Sequence, residues 1–220
     1  MIQSVSGFEV VIFDCDGVIL DSNQLKVEAF DLTLKKRNIE EDIILEFLEY
    51  HRINGGISRF EKFKVLMQRW LDNWPNETYY QGLLTDFSSL CIGLYEQCSF
   101  TTGAEELIHR LARDKKLFVA SGSAEDELNL VFRKRGLSPY FTNVFGSPDT
   151  KKSILERVSQ KFTSQSCLMI GDALSDLLAA KSVNMAFVAM IGYSDNPHNL
   201  EVAAKAHGYT IVENLKQLQL

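Results

Sequence analysis

The stretch "VVIFDCDGVILDSN", residues 10–23, decides the fold. Its first four residues, Val10 to Phe13, are all apolar, and the run stops at Asp14 with Asp16 and Gly17 close behind. A short continuous apolar run with such an end suits a strand covered on both faces, the form strands take in parallel sheets. Asp14 and Asp16 repel each other when both are ionised, so a pair placed at the end of a buried strand calls for a compensating charge. Gly17 lets the chain turn sharply just past the two acids.

Working outward, four further runs read as strands: "LFVAS" at 117–121, "CLMIGD" at 167–172, "MAFVAMIG" at 185–192 and "YTIV" at 209–212. Helical spacing separates them, with Leu107, Ile108 and Leu111 in one segment, Leu128, Val131 and Phe132 before a stop at Gly136, and Ile154, Leu155 and Val158 in a third. Strands alternating with helices imply right-handed crossovers and an α/β, doubly wound parallel sheet. Ligands of such sheets bind beyond the carboxyl ends of the strands.

Residues 18–88 follow a different pattern. Leu25, Ala29 and Phe30 share one helix face, Ile43, Ile44, Phe47 and Leu48 a second, and Phe60, Phe63, Met67 and Trp70 a third. A helical insert after the first strand must leave from the active edge of the sheet, so the expected organisation is a core of residues 1–17 and 89–220 with a helical cap at 18–88. Trp70, Trp74, Tyr79 and Tyr80 read as packing within that cap.

Composition narrows the partners. The 220 residues are 45% hydrophobic and 24% charged, with a formal net charge of −6. An acidic chain is not built to neutralise a nucleic-acid backbone, and a small-molecule partner is expected instead. No run is long enough to span a membrane, and the N-terminus lacks the basic flank and cleavage site of a secretory signal. The four cysteines, Cys15, Cys91, Cys98 and Cys167, contain no CxxC pair, which suits a reducing compartment. The expected location is cytoplasmic, as a monomer or weak dimer.

Polar residues then fall at corresponding places: Asp14 and Asp16 after strand one, Ser121 at the end of the second run, Lys151 in "GSPDTKKSIL", and Asp172 with Asp176 in "IGDALSD". In a parallel sheet the strand ends converge on one crevice. Carboxylates gathered there are hard oxygen ligands that favour Mg²⁺ when no His or Cys cluster competes. A divalent cation offsets the repulsion between the acids and attracts phosphate oxygens. Ser121 can give its hydroxyl and backbone N–H to the same phosphate, and Lys151 adds positive charge. Lys152, one residue on, competes for the role given to Lys151.

In that order, DxDGV, a strand ending in Ser, a Lys and GDxxxD resemble the motif set of the haloacid dehalogenase superfamily. The insertion point of the helical cap resembles the branch with β-phosphoglucomutase and phosphoglycolate phosphatase. The resemblance implies a Rossmann-like core, with Asp14 as nucleophile forming an aspartyl phosphate and Asp16 as the acid and base that protonates the leaving alcohol and activates water. Asp14 would then be ionised and Asp16 protonated at the first step. It further implies Mg²⁺ held by Asp14, Asp172 and the backbone carbonyl of Asp16, with Asp176 close by.

The segment "EYHRINGGISRFEKF", residues 49–63, looks like the cap specificity loop of β-phosphoglucomutase-type enzymes. Arg59 would then touch an anionic group of the substrate, with His51, Asn54, Gly55 and Gly56 around it; the plainer reading makes Arg59 and Lys62 a solvated face. Lys26 stands where the mutase pattern carries His, a departure that disfavours a mutase, and Gly122 lies beside Ser121. Ser22 and Asn23 are candidate hinge residues for the cap. The loop also resembles that of phosphatase-like proteins of cell-surface polysaccharide synthesis, which implies a sugar or sugar-acid phosphate. The expected activity is hydrolysis of a small phosphorylated metabolite. A phosphomutase or a silent phosphate-ligand binding protein are the alternatives, and a dehalogenase is disfavoured because it has no use for Mg²⁺.

Overall fold

The structure, a computed structural model, describes residues 4–219. Six strands form one parallel sheet: β1 (Val10–Phe13), β2 (Lys116–Ala124), β3 (Asn143–Ser147), β4 (Cys167–Gly171), β5 (Ala186–Met190) and β6 (Thr210–Val212). Their spatial order is β3-β2-β1-β4-β5-β6. That is the doubly wound α/β arrangement, whose order reverses between β1 and β4 and opens a crevice there.

Alternation along the strands divides the core in two. Val11, Phe13, Leu117, Val119, Leu168 and Ile170 pack on one face. Val10, Ile12, Phe118, Ala120, Cys167 and Met169 pack on the other. Every residue of β1 is fully buried, as expected of a central strand covered on both sides. The edge strand β3 was not read from the sequence: only Val144 and Phe145 of its five residues are strongly apolar, and an edge strand needs no continuous apolar run.

Four helices lie between β1 and the helix that leads into β2: α1 (Asn23–Lys36), α2 (Glu41–Ile53), α3 (Arg59–Arg69) and α4 (Glu77–Gln97). The three expected apolar faces belong to α1, α2 and α3. Phe30, Phe47 and Phe63 meet at ring-centroid distances of 5.3 Å from Phe30 to each of the others, and Phe87 of α4 closes the cluster 4.2 Å from Phe30. Aromatic pairs of this kind add about 0.5–1.5 kcal/mol each beyond their buried area, so the four helices are bound as one layer. Helix α4 was not expected, and the boundary drawn after residue 88 falls inside it. Residues 1–3 and 220 lie outside the described residues.

The remaining helices, α5 (Ala104–Leu111), α6 (Glu125–Lys134), α7 (Lys151–Lys161), α8 (Leu174–Ser182) and α9 (Pro197–Ala206), connect or follow the strands. Among the described residues no helix is long and apolar enough to cross a membrane.

Candidate active site

Asp14 follows β1 directly, and in the parallel register Phe13 lies level with Val119 of β2 and Ile170 of β4. The ends of these strands therefore meet, bringing Asp14 beside the start of the "GDALSD" turn after β4. Thr150 caps α7 by accepting the Ser153 backbone N–H and so sets Lys151 on the first turn, aimed at the crevice. Its ammonium lies 2.7 Å from Asp14 Oδ2 and also bonds Asp176 Oδ1. Asp176 Oδ2 accepts the Ala173 backbone N–H at 3.1 Å, so one carboxylate both caps α8 and holds the lysine. Lys152 points away, exposed beside Glu156 at 3.8 Å.

Asp172 Oδ2 accepts a hydrogen bond from Asn23 Nδ2 at 2.7 Å, and the same amide donates to the Tyr193 carbonyl at 2.9 Å. Gly17 has φ +71°, and a Cβ there would lie 2.1 Å from Asp172 Oδ2. Both the turn and the close approach of the carboxylate thus require glycine.

Carboxylate oxygens of Asp14, Asp172 and Asp176 lie within 4.8 Å of one another, and all three residues are buried. Burial, with the neighbouring carboxylates adding to it against the pull of Lys151, pushes Asp14 up to about 7. Burial with the charges of Asp14 and Asp176 lifts Asp172 well above the carboxylate range. This is the signature of uncompensated negative charge, and an all-oxygen donor set of this kind fits a hard divalent cation such as Mg²⁺.

Asp16 has a different environment. Its side chain stands outside that cluster and accepts from Ser22 Oγ at 2.6 Å, Tyr95 Oη at 2.6 Å and Ser123 Oγ at 3.0 Å, with Lys26 Nζ also bonded to it. Burial works against ionisation, yet Lys26 and the hydroxyls hold Asp16 down to about 2. The two acids are driven apart: Lys26 and three hydroxyls hold Asp16 as the anion, while burial among carboxylates raises Asp14, which a divalent cation held by Asp14, Asp172 and Asp176 would draw back down. The proton of this pair resides on Lys26, itself held above its ordinary value by Asp16 although burial opposes it.

Comparison with known proteins decides the family. The sequence profile described as haloacid dehalogenase-like hydrolase matches residues 11–190. The chain belongs to that family. Among relatives of this hydrolase, the HAD-hydrolase YfnB of Bacillus subtilis is 26% identical over 188 residues, 76% of this chain and 77% of that protein. A phosphoglycolate phosphatase of Colwellia psychrerythraea is 25% identical over 209 residues, 84% of this chain and 86% of that protein. The β-phosphoglucomutase of Clostridium difficile shares the fold with TM-score 0.75 and 22% identity, covering 97% of this chain and 94% of the other. A structure of YfnB bound to magnesium matches with TM-score 0.63 and 21% identity, covering 84% and 89% of the two chains.

The hydrolase has a cavity of about 130 Å³ between the strand ends and the helical layer. Asp14, Asp16, Asp172 and Gly122 line it from the core, and Lys26, His51, Gly55, Gly56, Arg59 and Lys62 line it from the helices. The 55–57 loop lies against the sheet edge: Ser175 Oγ donates to the Gly55 carbonyl at 2.8 Å, and a Cβ on Gly122 would lie 2.4 Å from the Gly56 carbonyl oxygen. Such a volume is small beside the roughly 300–1,000 Å³ of drug-sized sites and suits a small metabolite.

Three expected site residues are placed otherwise. Arg59 does border the cavity, but its guanidinium is committed to Glu127 of α6, with Nη1 3.0 Å from Oε1 and Nη2 bonded to Oε2. Two of its five N–H donors are therefore taken by Glu127. Asn54 ends α2, donating from Nδ2 to the Tyr50 carbonyl at 2.8 Å, and does not line the cavity. Ser121 is fully buried, its Oγ accepting the Ser123 backbone N–H at 3.1 Å; β2 runs on past it, so Gly122 and Ser123 reach the cavity instead.

Sequence reasoning missed Ser123 and Tyr95 around Asp16, and Asp195 on the core wall. It also offered Asn23 as a hinge or helix cap and not as the partner of Asp172, and the solvated face that was one of its two readings for Lys62 does not hold, since Lys62 is only 2% exposed. Ser123 was legible as a neighbour of Ser121 on the same strand; the others depend on contacts far along the chain.

Proposed function

We propose that this hydrolase is a Mg²⁺-dependent phosphatase that cleaves a small phosphomonoester through an aspartyl phosphate on Asp14. The observation that carries the reading is Asp14 at the end of β1, lining the cavity with the Lys151 ammonium 2.7 Å away. Asp14, Asp172 and Asp176 would hold Mg²⁺, whose charge, when bound, relieves the repulsion between an anionic nucleophile and an anionic phosphoryl group.

The Asp14 carboxylate forms a bond to phosphorus as the bond from phosphorus to the leaving oxygen breaks. That oxygen takes the proton held by the Asp16–Lys26 pair. Water then attacks the phosphoryl group, giving its proton to Asp16, and phosphate leaves with Asp14 restored. Lys151 stabilises charge on the transferring group, and the backbone around Gly122 and Ser123 positions it. Closure of the 55–57 loop over the strand ends excludes bulk water. The four buried free cysteines suit a reducing compartment such as the cytoplasm.

The test is phosphate release from a panel of sugar phosphates and small phosphoesters, with Mg²⁺ and with chelator, for the native chain and Asp14→Asn. Release that needs both Mg²⁺ and Asp14 is expected. Release that persists in Asp14→Asn or in chelator, or none from any ester, overturns the reading.

A further inference from the structure

Lys62 is an unusual group for the wall of a phosphate site. It is 2% exposed, lines the cavity from α3, and donates from Nζ to His51 Nδ1 at 2.6 Å and more distantly to the His51 carbonyl at 3.4 Å. Among the described residues no carboxylate lies within 4.0 Å of it. The other cations of the wall have acidic partners: Lys26 has Asp16, Arg59 has Glu127 and Arg52 has Glu49. Buried charges are normally paired, so this exception marks a place where the partner arrives from outside.

His51 gives the second, independent observation. The buried Nε2 of His51 has no partner, and when the Lys62 ammonium donates to Nδ1 the neutral imidazole carries its proton on that Nε2. His51 also lines the cavity, at 4% exposure. Lys62, which as an ammonium has no carboxylate partner and one N–H beyond its two bonds to His51, therefore stands beside the unpartnered His51 Nε2 on the wall that faces the strand ends.

We propose that Lys62 and His51 form a second anion subsite, and that the phosphomonoester taken by this protein carries a carboxylate at the end remote from its phosphate. The phosphoryl end of this assignment rests on the phosphatase reading above. One ammonium with one neutral donor matches a singly charged carboxylate. A phosphoryl dianion would leave charge unbalanced, and two donors of the planar fork better suited to it, Arg59, are already taken by Glu127. Asp195 on the core wall is too far to pair with Lys62 and repels a carboxylate that strays toward it, which helps confine that group to the helical side.

Binding separates this proposal from turnover. Asp14→Asn protein is titrated calorimetrically with phosphoglycolate, 3-phosphoglycerate and 4-phosphoerythronate, each beside the analogue in which CH₂OH replaces the carboxylate. At one length or more the carboxylate should bind at least about tenfold tighter. Lys62→Met in the same background should abolish that preference, and Lys62→Arg should restore part of it; His51→Gln, which keeps a side-chain N–H donor, should retain more than His51→Leu. Thermal melting confirms that each variant is folded. No carboxylate preference at any length, or a preference that survives Lys62→Met, overturns the proposal. So does glycerol 1,3-bisphosphate gaining more from Lys62 than 3-phosphoglycerate, which would make the subsite phosphoryl-binding. Failure of the native chain to release phosphate from any ester of the panel above strikes the phosphatase reading alone.

Discussion

Removing Glu127 tests how the helical layer is held to the core. Arg59, on α3, makes two bonds to Glu127, on α6, and Ser88 of α4 adds a third to the same carboxylate. The two side chains are only 5% and 11% exposed. Glu127→Ala therefore strands a guanidinium away from water, and breaking a buried pair from one side costs about 3–5 kcal/mol. Arg59 lies over the Phe87 ring, 4.8 Å from the centroid, in both proteins, so that contact cancels, and the residual exposure of the pair points to the lower end, about 3 kcal/mol. At about 2–4 °C per kcal/mol for a chain of this size, the melting temperature should fall by about 6–12 °C. Arg59→Met with Glu127→Leu, which removes both charges, should recover most of the loss, because the desolvation of two ions disappears with their attraction. Urea unfolding of the native chain, the Glu127→Ala single variant and the double variant supplies the comparison. A loss below about 1 kcal/mol in Glu127→Ala, or a double variant no more stable than the single one, would falsify the claim that this pair is sealed from solvent.

Two further outcomes follow from the buried lysines. Burial, with the charge of Lys26 nearby and only partial relief from Asp195 and Asp16, pushes Lys62 down to about 7, far below a lysine in the unfolded chain. Between about pH 7 and 10 the unfolded state therefore binds the additional proton, so stability rises with pH across that window and is lost as pH falls toward 7. The contribution approaches about 1.4 kcal/mol per pH unit, and urea unfolding of the native chain against Lys62→Met across that range should show the native slope steeper; equal slopes would contradict it. Lys151→Met leaves Asp14 and Asp176 without their shared cation and should lower kcat by roughly 10²–10³, whereas Lys152→Met should match the native chain, in steady-state phosphate release. Comparable losses in both would mean the two lysines act together.

Much of the core was legible because its signals are local. A buried strand must be apolar along its whole length, so β1, β4 and β5 announced themselves, and the acids that end β1 and β4 marked which sheet edge carries the chemistry. Helical faces were legible for the same reason in α1, α2 and α3. The weakly apolar edge strand β3 sends a fainter signal. Helix α4 was missed although Tyr80, Leu83, Phe87, Cys91 and Tyr95 recur at three- and four-residue steps along it.

The chain by itself determined the alternating α/β order, the placement of Asp14, Asp16 and Asp172 at strand ends, and the insertion of helices after β1, since each follows from spacing along a few residues. Only the tertiary structure decided which charges pair. Glu127 reads locally as one of three acids placed against the first-turn dipole of α6, yet folding sets it 68 positions from its partner Arg59. Lys62 sits between Glu61 and Lys64 and reads as part of a solvated face, yet the way α3 packs turns it inward beside His51. Asp14 and Asp16 differ by two residues in sequence yet are pushed in opposite directions, because one is buried among other carboxylates and the other faces Lys26 and three hydroxyls. Periodicity reports how a segment is solvated on average; the protonation and partner of a single buried group depend on what the rest of the fold brings against it.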